Sequence, residues 1–157
     1  MAPKTIAARI LDEAGISYEL VEYDISDVEF SAELVADLVG LPPEQVFKTL
    51  VAIGDRTGPI FAVIPGGTRL DLKRLAAASG NRKTELASLA DVVSLTGYQR
   101  GAVTVLGAKK SYAVIVDETL TLHDRVGISG GAKGVEIVLD PDDYILLSAA
   151  ELRDIAR

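Results

Sequence analysis

The chain has 157 residues, 48% of them hydrophobic, with 16 Lys and Arg against 23 Asp and Glu, which gives a net charge of −7. This length and apolar content are enough for one domain with its own core, and we expect a single domain over residues 1–157. With no cysteine and one histidine, the chain lacks the residues for disulfides, thiolate zinc sites or a cysteine nucleophile. The excess of acidic residues argues against a protein that binds a long stretch of DNA or RNA.

The N-terminal segment does not have the pattern of a secretion signal or a membrane anchor. Lys4, Arg9 and Asp12 interrupt it before a signal-peptide core is possible. No apolar run in the chain reaches the ~18 residues of a membrane span. We therefore expect a cytoplasmic protein with no membrane partner.

Helical and strand patterns alternate through the first half of the chain. In chain order, apolar spacing and capping residues predict a helix over 4–14, a strand over 17–23, a helix from Ser31 to Gly40, and strands over 46–53 and 60–64. The Gly- and Pro-containing segment 54–59 has the length of a hairpin turn. It predicts that the last two strands pair with each other.

Short helices are predicted next, followed by short strands. The order is a helix from Asp71 to Gly80, a helix from Ser88 to Gly97, strands over 103–106, 112–116, 135–139 and 144–147, and a C-terminal helix from Ser148 through Ile155. Ser148 with Glu151 three residues later has the capping-box pattern that predicts this last helix. The lack of strict βαβ alternation favours an α/β fold with a mixed, twisted sheet flanked by helices.

Lys48 lies within Val46–Val51, an otherwise largely apolar predicted strand. Alternation places Lys48 on the same face as Val46 and Leu50. A lysine among aliphatic neighbours is costly unless it has a partner or a ligand, so Lys48 is a candidate catalytic residue. The alternative is an edge-strand lysine that reaches water or discourages aggregation.

A second candidate is the loop Gly97–Gly107, whose glycines surround a short apolar stretch. Glycines let a backbone bend sharply and let a ligand approach main-chain N–H groups, as an ester carbonyl or a terminal ribose requires. An ordinary pair of turns is the alternative interpretation.

A third candidate is the segment Ser129–Glu136, which contains two adjacent glycines, Lys133 and Glu136. It matches neither a P-loop nor a G-x-G-x-x-G fingerprint, so a nucleotide cofactor is not indicated, and we expect no cofactor. The segment could form one wall of a pocket, with Lys133 toward a phosphate and Glu136 holding a hydroxyl group or a lysine. A surface turn with solvated charges is the alternative.

Taken in order, these segments resemble the YbaK/EbsC family of editing domains, which is related to the insertion domain of prolyl-tRNA synthetase. The resemblance rests on Val-Phe-Lys-Thr-Leu at 46–50, on Gly-Tyr-x-x-Gly at 97–101 with Leu-Gly and two lysines after it, and on Ser-Gly-Gly-x-Lys-Gly-x-Glu at 129–136. It extends to Leu70–Leu75 and Asp154–Arg157 and so covers almost the whole chain. It implies a mixed α/β domain with a twisted, partly barrel-like sheet flanked by helices.

The resemblance implies a deacylase acting in trans on the ester between a small mistaken amino acid, cysteine or alanine, and proline tRNA. Cleavage would use water or a group of the substrate itself. Matching positions assign catalysis to Lys48 and Gly101, and substrate binding to Tyr23, Phe30, Ser31, Gly130, Gly131, Lys133, Gly134 and Glu136. The implied partners are the tRNA acceptor end and, as a candidate, prolyl-tRNA synthetase, with no DNA and no membrane.

The loop after Tyr98 departs from the family pattern Gly-Gly-x-Ser-Pro-x-Gly, because this chain reads Gly-Ala-Val-Thr-Val-Leu-Gly over 101–107. Loss of the proline frees φ and can reshape the loop, which bears on amino-acid specificity more than on reaction class. Two alternatives stay open: a non-catalytic module that binds tRNA or a synthetase, and a hydrolase of small aminoacyl esters. The basic residues expected to form a small phosphate-binding rim are Arg82, Lys83, Arg100, Lys109, Lys110 and Lys133.

Overall fold

A computed structural model describes residues 4–23 and 32–157 of the protein. Its helices are α1 Ile6–Glu13, α2 Ala32–Val39, α3 Leu72–Ser79, α4 Leu89–Thr96 and α5 Pro141–Ser148. Its strands are β1 Tyr18–Glu22, β2 Phe47–Gly54, β3 Gly58–Pro65, β4 Thr84–Leu86, β5 Ala113–Asp117, β6 Val126–Ser129, β7 Val135–Leu139 and β8 Glu151–Arg153. Two short 3-10 helices span Pro43–Gln45 and Glu118–Leu122.

The strands form two sheets. The smaller sheet is antiparallel with the order β1-β7-β6, and the larger is mixed with the order β4-β2-β3-β5-β8. Strands β2 and β3 form an antiparallel hairpin that ends with Gly54 opposite Gly58, which confirms the predicted hairpin. The predicted mixed α/β fold is confirmed, and the described strands do not close into a barrel.

Side chains from both sheets meet in the main core. Phe47 of β2 and Phe61 of β3 pack there in the same cluster as Ile137 of β7. The opposite face of the larger sheet is covered by Leu75 of α3 and by Ile155 near the C-terminus. Burial of each such side chain contributes about 1.5–3 kcal/mol. Packing on both faces therefore fixes β2 as a rigid support.

Two of the predicted helices begin and end at their predicted capping residues. The side chains of Asp71 and Ser88 accept backbone N–H hydrogen bonds at the starts of α3 and α4. Gly80 and Gly97 end these helices with φ of +77° and +81°, a conformation that glycine adopts at little steric cost. Ser31, the predicted N-cap of α2, lies outside the described residues.

The predicted strand over 103–106 is wrong, because this segment is an irregular loop. The Tyr98 hydroxyl donates a hydrogen bond to the Leu106 carbonyl at 2.8 Å, and the Leu106 amide donates to the Thr104 hydroxyl at 3.4 Å. Side-chain hydroxyl groups thus bond the Leu106 backbone groups that a neighbouring strand would otherwise bond. Thr104 and Leu106 are both buried, so the apolar pattern reflects a tightly packed loop.

The predicted strand over 144–147 and the predicted C-terminal helix are also wrong. Residues 144–147 belong to α5, which begins because the Asp140 carboxylate accepts a hydrogen bond from the Asp142 amide and Pro141 occupies the first turn. The Ser148 hydroxyl donates to the Tyr144 carbonyl inside α5 instead of capping a new helix. The chain then continues as β8, parallel to β5.

Asp117 holds the C-terminal segment against the larger sheet. Its side chain is 2% exposed, and its carboxylate accepts hydrogen bonds from the Ile155 and Ala156 amides, both at 3.0 Å. Asp117→Ala leaves these buried N–H groups without their acceptor, so we expect the free energy of unfolding to fall by about 2–4 kcal/mol. Urea denaturation measures this, with the exposed Asp124→Ala as a control expected to change by less than about 0.5 kcal/mol. Equal losses in the two variants would contradict this role.

Candidate active site

The edge of β2 that faces away from β3 is only partly covered. Strand β4 pairs with β2 over Ala52–Gly54 alone. At the other end, Val46 forms an isolated bridge to Gly127 of β6. Between these contacts, from Phe47 to Val51, no strand in the described ranges pairs with this edge. The gap between β4 and β6 leaves room for a cavity.

A cavity of about 520 Å³ lies along this open edge, within the range of roughly 300–1,000 Å³ that is typical of small-molecule sites. One wall is formed by Val46 and by the β2 residues from Phe47 to Val51. The other lining residues are Val35 and Gly66, then Leu86, Ala87, Leu89 and Val92 of the β4–α4 segment, Arg100, Gly101 and Val103 of the glycine loop, and Ser129 and Glu136 of β6 and β7. The cavity therefore brings together Lys48, Gly101 and Glu136, which are far apart in sequence.

Lys48 is partly buried and lies in the cavity wall. It pairs with Ile64 of β3, so the backbone on either side of it is held by the hairpin. Strand alternation separates its side chain from those of Phe47 and Val51, which belong to the main core. Lys48 is therefore presented at the cavity and does not contribute to that core.

Gly101 lines the cavity with φ of +87°, in the left-handed region that favours glycine. Its neighbour Arg100 also lines the cavity and is exposed. A Cβ on Gly101 would lie 3.8 Å from Cγ of Lys133, so the stem of this exposed lysine packs close to the glycine. Two exposed cationic side chains thus flank Gly101.

Glu136 is only 4% exposed although its side chain is ionisable. It pairs with Ser129 between β7 and β6. A Cβ on Gly127 would lie 3.2 Å from the Glu136 Oε2 atom, so the glycine leaves space for the carboxyl group. Burial raises the pKa of Glu136 from 4.5 to about 8. Near neutral pH this carboxyl group is therefore mostly protonated and can donate as well as accept a hydrogen bond.

Tyr23 lies beside Glu136 and does not itself line the cavity. Its ring packs against a small cluster that includes Val35 and Val46. Burial, and secondly the charge of Glu136, raise the pKa of Tyr23 to about 12. Tyr23 thus supports the walls of the cavity from behind and remains a neutral phenol at physiological pH.

Three predicted glycines, Gly130, Gly131 and Gly134, form the turn between β6 and β7 and do not line the cavity. A Cβ on Gly134 would stand 2.7 Å from the Tyr23 carbonyl oxygen, and Gly131 has φ of +88°. Larger residues are therefore disfavoured at these positions by close packing and by backbone conformation. The turn sets the position of Glu136 in the cavity wall.

Several predicted residues are not brought to the cavity. Phe30 and Ser31 lie outside the described residues. Five of the six basic residues predicted for the phosphate-binding rim do not line the cavity: Arg82, Lys83, Lys109, Lys110 and Lys133. The amides of Arg82 and Lys83 both donate to the Asp55 carboxylate beside the hairpin turn, at the far end of β2. Of the predicted rim, Arg100 lines the cavity and Lys133 packs beside Gly101.

The structure adds lining residues that the sequence analysis did not single out. Leu86 and Leu89 are the most exposed of these, at 54% and 61%. No motif marks them, because they reach the cavity only through the pairing of β4 with the end of β2. Over residues 4–23 and 32–157, no group of His, Asp or Glu side chains is placed to hold a metal ion. No helix in those ranges is long and apolar enough to cross a membrane.

Comparisons with known proteins agree with this architecture. A family model described as an aminoacyl-tRNA editing domain matches residues 28–147. EbsC of Enterococcus faecalis, whose name proposes a Cys-tRNA(Pro)/Cys-tRNA(Cys) deacylase, is 38% identical over 97% of this chain and 93% of its own length. ProXp-y of Escherichia coli, named a multifunctional Ser/Thr-tRNA deacylase, is 24% identical over 94% of this chain and 89% of its own.

A solved structure described as a proposed trans-editing enzyme for prolyl tRNA synthetase has a TM-score of 0.86 to this fold, with 26% identity and 99% of both chains covered. The family model spans most of the sequence, and EbsC aligns along nearly all of it. The chain therefore belongs to the aminoacyl-tRNA editing domain family.

Proposed function

We propose that the protein is a trans-editing aminoacyl-tRNA deacylase that removes a small mischarged amino acid, cysteine or alanine, from tRNA(Pro). The observation that carries this proposal is the single cavity in which Lys48, Gly101 and Glu136 meet along the open edge of β2. The relatives EbsC and ProXp-y are both named as deacylases, but their names give different amino acids. Ester cleavage is therefore the more general part of the proposal, and the amino acid is the more specific part.

The cavity offers the donors that ester cleavage needs. Attack on the ester carbonyl builds negative charge on its oxygen, and fixed donors aimed at that oxygen lower the barrier. Lys48 and the backbone N–H groups near Gly101 are the donors assigned to this role, and Lys48 can alternatively hold a phosphate or act as base. The chain has no cysteine and only one histidine, so the attacking group is water or the thiolate of a cysteinyl substrate.

The end of the cavity beside the buried Val46 and Glu136 suits the aminoacyl group. Editing sites reject larger amino acids by size, which requires walls that cannot yield. Val46 and Glu136 line the cavity there, and Gly127 lies next to both of them; all three belong to paired or bridged backbone, so this wall is held in place. The protonated Glu136 carboxyl group is placed to bind the polar groups of the amino acid or to orient Lys48.

Contact with tRNA is limited to its acceptor end. Arg100, which lines the cavity next to Gly101, and Lys133, whose stem packs near Gly101, are the cations we assign to the terminal phosphates. The net charge of −7 leaves little basic surface for the rest of the tRNA. Selection of tRNA(Pro) then falls to a partner such as prolyl-tRNA synthetase, whose addition should increase the preference for tRNA(Pro).

The proposal is tested with cysteinyl-, alanyl-, seryl- and prolyl-tRNA(Pro) as substrates of the wild-type protein. Initial rates of amino-acid release should favour a small mischarged amino acid over proline by roughly 10- to 200-fold. Release from none of the four would contradict the proposal and leave a non-catalytic binding module. Equal release from aminoacyl methyl esters and from tRNA would indicate a hydrolase of small esters.

Gly101→Ala is expected to lower kcat/KM for deacylation by roughly 10- to 100-fold, because a displaced loop misplaces the donors. Gly97→Ala is a matched control, because φ is similar at the two positions, +87° at Gly101 and +81° at Gly97. An added Cβ would lie 3.8 Å from the nearest side-chain atom at Gly101 and 3.7 Å from it at Gly97. Both variants should therefore lose similar stability, about 1–2 kcal/mol. Steady-state kinetics with a thermal melt for each variant separates the two effects, and equal loss of activity would argue against a role for Gly101.

A further inference from the structure

Tyr98 lies between the two segments that carry the predicted glycines. One is the glycine loop, in which Gly101 lines the cavity, and the other is the turn at 130–134, which leads directly into β7 and Glu136. Tyr98 is 9% exposed, although the residues on both sides of it in the sequence are exposed. It does not line the cavity. Its ring is therefore placed behind the cavity wall and not in contact with a ligand.

The ring of Tyr98 packs on the backbone of the turn at Gly131. A Cβ on Gly131 would lie 3.4 Å from Cε1 of Tyr98 and 3.5 Å from its hydroxyl oxygen. Such a carbon would be in van der Waals contact with the ring, so no side chain separates the ring from the turn. Gly131 also has φ of +88°, which disfavours a larger residue there. The turn that leads to Glu136 thus rests directly on Tyr98.

The hydroxyl group of Tyr98 holds the far end of the glycine loop. It donates a hydrogen bond of 2.8 Å to the Leu106 carbonyl and so closes the loop that contains Gly101. Burial raises the pKa of Tyr98 above its usual value, so the hydroxyl group keeps its proton and remains a donor. At the near end, the Tyr98 amide donates to the Thr96 hydroxyl at 3.0 Å. Both ends of the loop are therefore fixed through Tyr98.

The loop and the turn also meet at Lys133, but this contact is less rigid. Cγ of Lys133 lies 3.8 Å from a Cβ placed on Gly101. Lys133 is exposed, and a lysine side chain is a flexible stem that can move aside when a ligand enters. Tyr98 is buried and has only two side-chain torsions. Tyr98 is therefore the contact that can hold the two segments at a fixed separation.

We propose that Tyr98 is a positioning residue that fixes the width of the cavity between Gly101 and Glu136 and so limits the size of the aminoacyl group that binds. This inference rests on the proposed function, which places the aminoacyl group beside Glu136. Size rejection requires walls that do not yield, and no residue from 98 to 107 belongs to a strand that would hold the Gly101 side. Without the Tyr98 hydroxyl, the buried Leu106 carbonyl loses its donor and the loop can move away from the turn.

Tyr98→Phe tests this role, because it removes the hydroxyl group and keeps the ring. Binding is measured by calorimetry with alanyl- and leucyl-adenosine analogues in which an amide replaces the ester. The wild-type protein should bind the alanyl compound at least about tenfold more tightly, because a rigid wall makes the larger side chain costly to accommodate. In Tyr98→Phe this preference should fall to about threefold or less, chiefly through tighter binding of the leucyl compound.

Tyr112→Phe is the matched control. The Tyr112 hydroxyl also donates to a backbone carbonyl, that of Leu95 at 3.0 Å, and Tyr112 does not line the cavity. Tyr112→Phe should therefore lose comparable stability in a thermal melt and keep the wild-type preference. A variant that is only less stable loses binding of both compounds in equal proportion, so the ratio of the two dissociation constants separates positioning from stability.

The outcomes separate this inference from the proposed function. The positioning role would be overturned by an unchanged preference in Tyr98→Phe, by an equal loss of preference in Tyr112→Phe, by no preference in the wild-type protein, or by binding of neither compound. Deacylation of mischarged tRNA by the same wild-type preparation would still stand in those cases. A preference that is lost only in Tyr98→Phe supports the role even if the preparation deacylates nothing, and that failure would overturn ester cleavage alone.

Discussion

Lys48→Ala should lower kcat/KM for deacylation of mischarged tRNA by roughly 100- to 1,000-fold, the range expected when one donor to a developing oxyanion is removed. Lys48 lies in the wall of the cavity, apart from the main core, so its removal should leave the fold intact. The measurement is single-turnover release of the amino acid, together with a melt that confirms folding. Lys83→Ala is the control, because Lys83 is exposed near the hairpin turn and does not line the cavity.

Lys48→Arg distinguishes the roles that remain open for this side chain. Arginine keeps the positive charge and its hydrogen-bond donors but does not lose a proton at working pH. Substantial activity in Lys48→Arg would assign Lys48 to charge stabilisation, whereas loss equal to that of Lys48→Ala would favour a base or a strict geometric requirement. Undiminished turnover in Lys48→Ala would remove Lys48 from the catalytic machinery.

Glu136 should make the stability of the protein depend on pH between about 4.5 and 8. Burial raises the pKa of this carboxyl group from 4.5 to about 8, so in that interval the folded protein retains a proton that the unfolded chain has released. The free energy of unfolding therefore decreases as the pH rises through this interval, by at most about 1.4 kcal/mol per pH unit from this group. Below the interval both states are protonated, and the full contribution is present.

Glu136→Gln removes this titration while keeping a similar shape. Urea denaturation at several pH values should show a flatter profile for Glu136→Gln than for the wild-type protein, with the variant gaining in relative stability toward pH 8 and above. Glu85→Gln, at an exposed position of β4, should retain the wild-type slope. A wild-type stability that rises from pH 5 to pH 8 through this group would contradict the buried, protonated carboxyl group described above.

Local sequence signals predicted the parts of the site that depend on local structure. The alternation in Val46–Val51 identified β2 and the position of Lys48 in it, and the turn at 54–59 predicted its pairing with β3. The cavity itself was not predictable in this way. It arises because β4 covers only one end of β2 and β6 reaches only the other, and both are short strands of three and four residues that the pattern analysis missed.

The errors have a common physical origin. Apolar alternation over 103–106 and 144–147 is compatible with a strand, a packed loop or a buried helix, and nearby polar groups decide among them. Asp140 followed by Pro141 was the stronger signal for a helix start. Ser148 has the spacing of a capping box with Glu151, but its hydroxyl donates backward to the Tyr144 carbonyl within α5, so no new helix begins there. The spacing of apolar residues alone does not show which partner such a side chain will bond.

A crystal structure of the protein with an amide-linked alanyl-adenosine, a substrate analogue in which an amide replaces the ester, tests the central claim most directly. The account predicts that the compound lies along the open edge of β2, with its amide carbonyl within hydrogen-bonding distance of Lys48 or of an N–H group near Gly101. Its alanyl group should point toward Glu136. An analogue bound elsewhere on the protein, or bound here with its carbonyl remote from both groups, would contradict the assignment of this cavity as the site of ester cleavage.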